Sequence, residues 1–540
     1  MRSTTILATA IASVGMPGAA AIAAPRTTYI TPYIEALQVL DVPITGGRDV
    51  LTYSVLAAGV DAGASGRRLE GTLSYRYERR FPWGGDGGVP SDTHNGIARG
   101  SFQLVPNFLT LQAGGIATRT RVDARGGGVD FLGRGNNVAQ VYGGYVGPSL
   151  TTRVGPLDIN AGYRFGYVKT DNGFGGDDGA DLGTGQFGLN RYDSSVSHLA
   201  NASVGMKPGQ LPFGWTLSGS YSREDAKPLD QRFGNKFVRA EVLVPVAPTL
   251  ALTAGVGYED IRVSQQAVQR TAAGLPVVDS KGRFVGDRSA PRQIAYDFDG
   301  LFYDAGVIWR PSRRTTLVAT VGRRYGQLAV TGSFSHQINS RSGLTIGVYN
   351  GIDSFGRSIG NNLSALPTQF SVPRNSLNNR FDGCVFGNQG TGGCFNDALQ
   401  SASTSNYRAR GVNALYTNRR GALSVGLGIG YDERRYLGPV LVANGIAYDN
   451  VTDRSVTAQA NATITLDERS SLANQIFVGW FESGLPDTDG VLTGGVSSSY
   501  YRRLTDRLSG NATVAIFATD QQEFDTDVTG QLLVGARYAF

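Results

Sequence analysis

The sequence predicts an all-β protein, a transmembrane antiparallel β-barrel of about 22 strands (18–22). Three observations predict it: period-two alternation from end to end, connections that alternate between short and long, and a last strand that finishes on an aromatic residue. Glycine supports the same class. With 74 Gly among 540 residues, no Gly-X-Y repeat and ample aromatics, the composition is that of many turns between short strands, not of collagen or disorder.

Residues 1–24 read as a secretory signal. Arg2 precedes an apolar stretch broken by Gly15, Pro17 and Gly18, and Ala21-Ile22-Ala23 supplies an A-x-A cleavage site. The barrel then occupies 25–540, with short connections and both termini on the periplasmic side. Strand signals start close to residue 25, so no separate plug domain is expected before the barrel.

The strands alternate clearly. Leu69, Leu73, Tyr75 and Tyr77 oppose Glu70, Thr72, Ser74, Arg76, Glu78 and Arg80; Leu157, Ile159, Tyr163, Phe165 and Tyr167 oppose Asp158, Asn160 and Arg164. Further along, Leu301, Tyr303, Val307 and Trp309 oppose Asp304 and Arg310, and Leu423, Leu427, Ile429 and Tyr431 oppose Asp432 and Arg434. A strand sends successive side chains to opposite faces, so each has one apolar and one polar side. A soluble sandwich also alternates. Two features exclude it here: apolar faces end in Tyr or Trp, as at a membrane girdle, and charged residues sit mid-strand where a packed core demands pairing. Tight turns near 106, 155, 210, 248, 312, 341, 420, 468 and 505 alternate with longer segments at 82–92, 123–137, 171–191, 264–297, 352–404 and 436–449. This is the layout of a barrel in the cell outer membrane, with short periplasmic turns and long extracellular loops.

Little of the chain invites chemistry. His94, His198 and His336 form no metal motif, and the only local cluster, Asp193, Ser194, Ser195 and His198, reads better as polar wall than as a hydrolase site. No cofactor, no metal, no nucleic-acid partner and no enzymatic activity are expected. Cys384 and Cys394 flank a Gly-rich tip in the 352–404 loop, and an oxidising compartment favours one disulfide there, stiffening a segment that folds over the mouth. A merely protective bridge and two reduced thiols are the alternatives.

Of 50 basic residues only five are Lys, and Arg binds carboxylates and phosphates bidentately. Arg76, Arg80, Arg164, Arg239, Arg310, Arg324, Arg434 and Arg537 share the polar parity and are the lumen-facing candidates. Either they focus anions along the lumen, or they pair laterally with Glu70, Glu78, Asp158, Asp304 and Asp432 into a neutral wall. At the end of the chain, Leu532, Val534, Ala536, Tyr538 and Phe540 resemble the C-terminal signal read by the barrel assembly machinery. That machinery and outer-membrane lipid are the expected partners.

Several stretches resemble a sphingomonad-type outer-membrane family, the β-barrel porins found beside exopolysaccharide secretion genes. They are "PYIEALQVLDV" (32–42), "VLTYSVLAAGVDA" (50–62), "LSYRYERR" (73–80), "QRFGNKFVRAEV" (231–242), "GVGYEDI" (255–261), "YDAGVIWRPSRRT" (303–315) and "NDALQS…NYRARGVNALY" (396–416). The resemblance implies an outer-membrane channel linked to exopolysaccharide export or its assembly, with polysaccharide secretion components or an acidic glycan as partners. It transfers no functional residue. A general or substrate-selective uptake porin and a plugged structural barrel are the alternatives.

Overall fold

The computed structural model describes residues 27–45, 50–83, 91–121, 138–171, 192–371 except 275, 278 and 280–282, 405–437, 451–484, 490–521 and 524–540. It also describes short pieces at 384–387, 391–395, 398–399, 402, 441–443 and 446–448. The predicted secretory signal and most of the predicted loops at 123–137 and 171–191 lie outside the described residues.

A single 22-stranded antiparallel sheet forms the wall. Its first half comprises β1 (Thr27–Pro43), β2 (Leu51–Ser65), β3 (Leu69–Pro82), β4 (Ser91–Val105), β5 (Leu109–Arg121), β6 (Val138–Val154), β7 (Leu157–Asp171), β8 (Ser194–Met206), β9 (Gly214–Ala226), β10 (Gln231–Ala247) and β11 (Leu250–Gln265). The second half comprises β12 (Gln293–Ser312), β13 (Thr315–Arg324), β14 (Gln327–Asn339), β15 (Ser342–Asp353), β16 (Tyr407–Arg420), β17 (Leu423–Tyr436), β18 (Thr452–Thr465), β19 (Ser470–Glu482), β20 (Val491–Arg503), β21 (Leu508–Gln521) and β22 (Phe524–Ala539). Each strand pairs with its neighbours in sequence. β22 returns to β1 in the register Tyr33↔Ala539 through Pro43↔Thr529, which closes the ring and leaves no unpaired edge. The Phe540 N–H donates to the Pro32 carbonyl at 3.0 Å, so the last residue completes the seam.

The parity read from the sequence is the parity of the wall. Ile30, Ile34, Leu69, Tyr163, Tyr167, Leu301, Tyr303, Ile429, Leu532, Val534 and Phe540 are all exposed on the outer face, whereas Arg76, Arg239, Asp432 and Arg434 are buried on the inner one. A closed wall with a continuous outward apolar band is stable only with lipid around it. Two connections on the long-loop rim are nevertheless tight: 227–230 between β9 and β10, and 325–326 between β13 and β14.

The predicted 352–404 loop departs from expectation in direction. It starts at the extracellular rim, but its described residues do not stay outside; they enter the lumen. Its first part is the helix α1 (Phe355–Ala365), with Phe355, Ile359 and Leu363 wholly buried. These pack with inward Ile97, Ile116, Val141 and Val168 from β4 to β7, and with Leu366, Val385, Phe395 and Ala398 from the same segment. The physical reason is the spacing: apolar residues at i, i+4 and i+8 make one greasy stripe, and the inner wall of β4–β7 offers the matching apolar surface. Gly143 permits the close approach, since a Cβ there would meet Ile359 Cγ2 at 2.7 Å.

Candidate functional site

The described residues of the inserted segment, 354–406, form a strap anchored at both ends and in the middle. At the top, Ser354 caps α1, accepting from the Arg357 N–H at 3.3 Å, and its hydroxyl donates to Glu224 on β9. Arg357 also meets Glu224 Oε2 at 3.2 Å, donates to Asn406 Oδ1 at 3.0 Å and lies on the Phe233 ring, 3.3 Å from its centroid. A cation near a helix N-terminus is unfavourable by itself, and the buried Glu224 carboxylate offsets it. Beside this anchor, burial, with a smaller contribution from Glu224, holds the Tyr192 hydroxyl well above its ordinary pKa, so it stays a donor to Ser195 Oγ at 2.6 Å.

The lower end of α1 rests on β7, where Arg164 donates to Ser364 Oγ and Asn361 Oδ1. The chain then reaches β2 and β3. Thr72 Oγ1 donates to the Thr368 carbonyl at 2.8 Å, and Gln369 Nε2 donates to the carbonyls of Ala64 at 2.7 Å and Gly71 at 3.3 Å. From there a three-stranded sheet, Phe370–Ser371, Cys384–Gly387 and Gly392–Cys394, carries the strap across to β16 and β17. Its far side lies on inward glycines: a Cβ at Gly426 would meet Phe386 Cδ1 at 2.9 Å, and one at Gly428 would meet Cys384 Sγ at 2.8 Å. Cys384 and Cys394 are joined by a disulfide in this sheet. β2–β3 and β16–β17 belong to separate arcs of the ring, so the strap is a chord through the lumen.

The eight candidate arginines do not make one cationic track. Arg76 meets Glu35 and, at 3.3 Å, Glu78; Arg80 meets Glu78 at 3.0 Å. Arg239 lies 2.5 Å from Glu241 and 2.6 Å from Asp304, Arg324 lies 2.7 Å from Glu259, and Arg537 lies 2.8 Å from Asp61. Arg434 lies opposite Asp453 in register, its Cζ 4.4 Å from the Tyr407 centroid. Arg164 holds the strap. Arg310, inward near the periplasmic end of β12, has a buried Nε without a hydrogen-bond partner. Of the carboxylates expected to pair with this set, Glu78 and Asp304 do so. Asp158 instead pairs with Arg153 and Lys207, and Glu70 accepts from Thr368. Asp432 accepts from Tyr349 among its contacts.

The histidines are on the outside. His198 Nδ1 lies 2.7 Å from the Tyr163 hydroxyl and its ring 5.5 Å from Phe165, while Ser195 faces inward; the two cannot share a reaction centre. His94 sits among Tyr75, Tyr77 and Tyr142, and His336 stacks on Phe334. Among the described residues no group of three or more His, Cys, Asp or Glu is arranged to hold a metal.

Comparison with known proteins adds no family. No family model matches the chain, and no curated protein matches it. Among solved structures it is similar to the open form of the ferric-catecholate import receptor Fiu from E. coli K12, at 10% identity and a TM-score of 0.45, covering 94% of this chain and 81% of that one. It is also similar to the FrpB iron transporter from Neisseria meningitidis (F5-1 variant; 10% identity, TM-score 0.41, 94% and 82% covered) and to the copper transporter OprC (11% identity, TM-score 0.41, 95% and 80% covered). Superpositions this loose carry no argument about cargo. The closed seam and the outward apolar band carry the assignment. The chain is an outer-membrane β-barrel.

Proposed function

We propose that the protein is a solute-selective uptake channel of the outer membrane whose passage is narrowed by its own strap. The observation that supports this reading is the chord through the lumen, fixed to β9, β7, β2–β3 and β16–β17. A small solute can pass beside a fixed bar. A polymer requires the whole bar to leave, which means undoing a buried ion pair and an apolar core. Swelling of liposomes carrying the purified barrel tests it: small solutes enter at a slow, size-dependent rate and dextrans do not. Flux of dextran would overturn the reading, and absence of flux for every small solute would leave a plugged structural barrel.

Glycan export is the second reading, favoured by a different part of the wall. Between β18 and β21 the inward residues include Gln459, Asn461, Gln475, Ser497, Ser499 and Thr513, neutral amides and hydroxyls suited to sugar hydroxyls, beside the apolar Phe481, Val491, Ala515 and Phe517. An Arg-lined tunnel for an acidic glycan has less support, because most of the arginines face carboxylates. A deletion strain separates the two: polymer trapped in the periplasm supports export, unchanged secretion supports uptake.

A further inference from the structure

Two inward arginines beneath the strap differ from their neighbours. Arg76, Arg80, Arg239, Arg324 and Arg537 each have a carboxylate within ion-pair distance. Arg99 on β4 and Arg164 on β7 have none among the described residues, and both flank one ring, their Cζ atoms 5.6 and 5.8 Å from the Tyr145 centroid. Arg310 also has no such partner, but it stands apart from them. Arg99 is 7% exposed and Tyr145 6%. The Arg99 guanidinium donates to the Gly100 carbonyl at 2.8 Å and Gln112 Oε1 at 2.9 Å, while its Nε and the Tyr145 hydroxyl have no hydrogen-bond partner. Arg164 donates to the neutral side chains of Asn361 and Ser364. Asp353, whose carboxylate reaches Asn361 Nδ2 at 3.1 Å and lies 3.6 Å from Arg357, attracts Arg164 only from beyond ion-pair distance.

A buried and a half-buried guanidinium around one tyrosine repel each other, and neutral acceptors only partly compensate. A carboxylate or phosphate does more, because charge-assisted bidentate bonds to Arg are about twice as strong as neutral ones. We propose that Arg99, Tyr145 and Arg164 form a binding site for a carboxylate- or phosphate-bearing solute, and that this solute competes with Asn361 and Ser364 for Arg164, unlatching the lower end of α1. The consequence for transport rests on the channel reading above; the site itself does not.

Titration calorimetry of the full-length barrel in detergent, with citrate and separately inorganic phosphate against sodium chloride of equal ionic strength, tests it. Wild type binds at least one of the two anions. Arg164→Gln and Arg99→Gln each weaken that binding by about tenfold or more, the scale of a lost charged hydrogen bond. The double variant Asn361→Ala/Ser364→Ala, which leaves the wall intact, binds more tightly because the competitor is gone. That opposite sign is the decisive arm, and it stands even where an Arg variant fails to fold. No binding above the chloride control, or a double variant that binds no tighter than wild type, overturns the proposal. Binding with these variant effects but without solute flux supports the site and removes the channel reading; flux without binding removes the site.

Discussion

The wall beneath the strap and the wall from β18 to β21 are built from the same alternating strands and both carry inward apolar residues, yet the polar groups beside them differ: charged under the strap, chiefly neutral amides and hydroxyls from β18 to β21. Under the strap, Ile97, Ile116, Val141 and Val168 make an apolar seat flanked by Arg99, Arg164 and Glu224. Across the lumen, Gln459, Gln475, Ser497 and Thr513 supply amides and hydroxyls beside the apolar Phe481, Val491, Ala515 and Phe517, with both amide atoms of Gln459 lacking partners. The difference teaches that outward parity is set by lipid alone, whereas inward composition is set by what each arc must hold. One arc holds the chain's own segment; the other has no described helix against it.

Breaking the upper anchor gives the largest expected effect. Glu224→Gln leaves the buried Arg357 with only the more distant Asp353 carboxylate, 3.6 Å away, and costs at most about 3–5 kcal/mol at that anchor, read as protease cleavage within 354–406 that wild type resists. Removing the disulfide with Cys384→Ser/Cys394→Ser costs about 3 kcal/mol at most, by the loop-closure argument for a ring this short, and loosens the crossing sheet while the wall stays intact. Gly143→Leu overpacks the seat of α1 at Ile359, costing about 1–3 kcal/mol. Gln459→Leu on the opposite arc, by contrast, leaves the strap undisturbed and shifts solute preference in the swelling assay. If Gly143→Leu and Gln459→Leu behave alike, the two arcs are not functionally distinct.

The smallest effect lies in a periplasmic turn. Ser470 and the backbone N–H of Arg469 hold the exposed Asp467 carboxyl below its ordinary range. A depressed folded-state pKa gives stability that is present above the unfolded value, about 3.9, and lost as pH falls through the lower folded one. Asp467→Asn therefore lowers the melting temperature slightly at neutral pH, and the difference shrinks on acidification. A difference that grows toward low pH contradicts the assignment.

The strands, the seam and the lipid-facing residues were legible because period two is local and lipid rewards one face everywhere. The ion pairs were not. Arg239 reaches Asp304 by passing over Gly255, from β10 to β12, and Arg76 reaches Glu35 from β3 to β1; such pairs depend on register across an intervening strand. Glu35, Asp61 and Glu259 therefore went unrecognised as partners, whereas Glu241, two residues from Arg239 on the same face of β10, carried a local signal. The strap was missed for another reason. Phe355, Ile359 and Leu363 carry a helical signal after Ser354, but it is short and sits in a polar, Gly-rich stretch that otherwise reads as a loop. Arg99 and Tyr145 were missed because their importance comes from the strap above them.

The most direct test of the strap is single-channel conductance in planar bilayers, comparing wild type with a variant in which 370–395 is replaced by a short Gly-Ser linker. A strap that crosses the lumen predicts a small, flickering conductance for wild type and a large, steady one for the variant. Equal, large and steady conductance from both would contradict it.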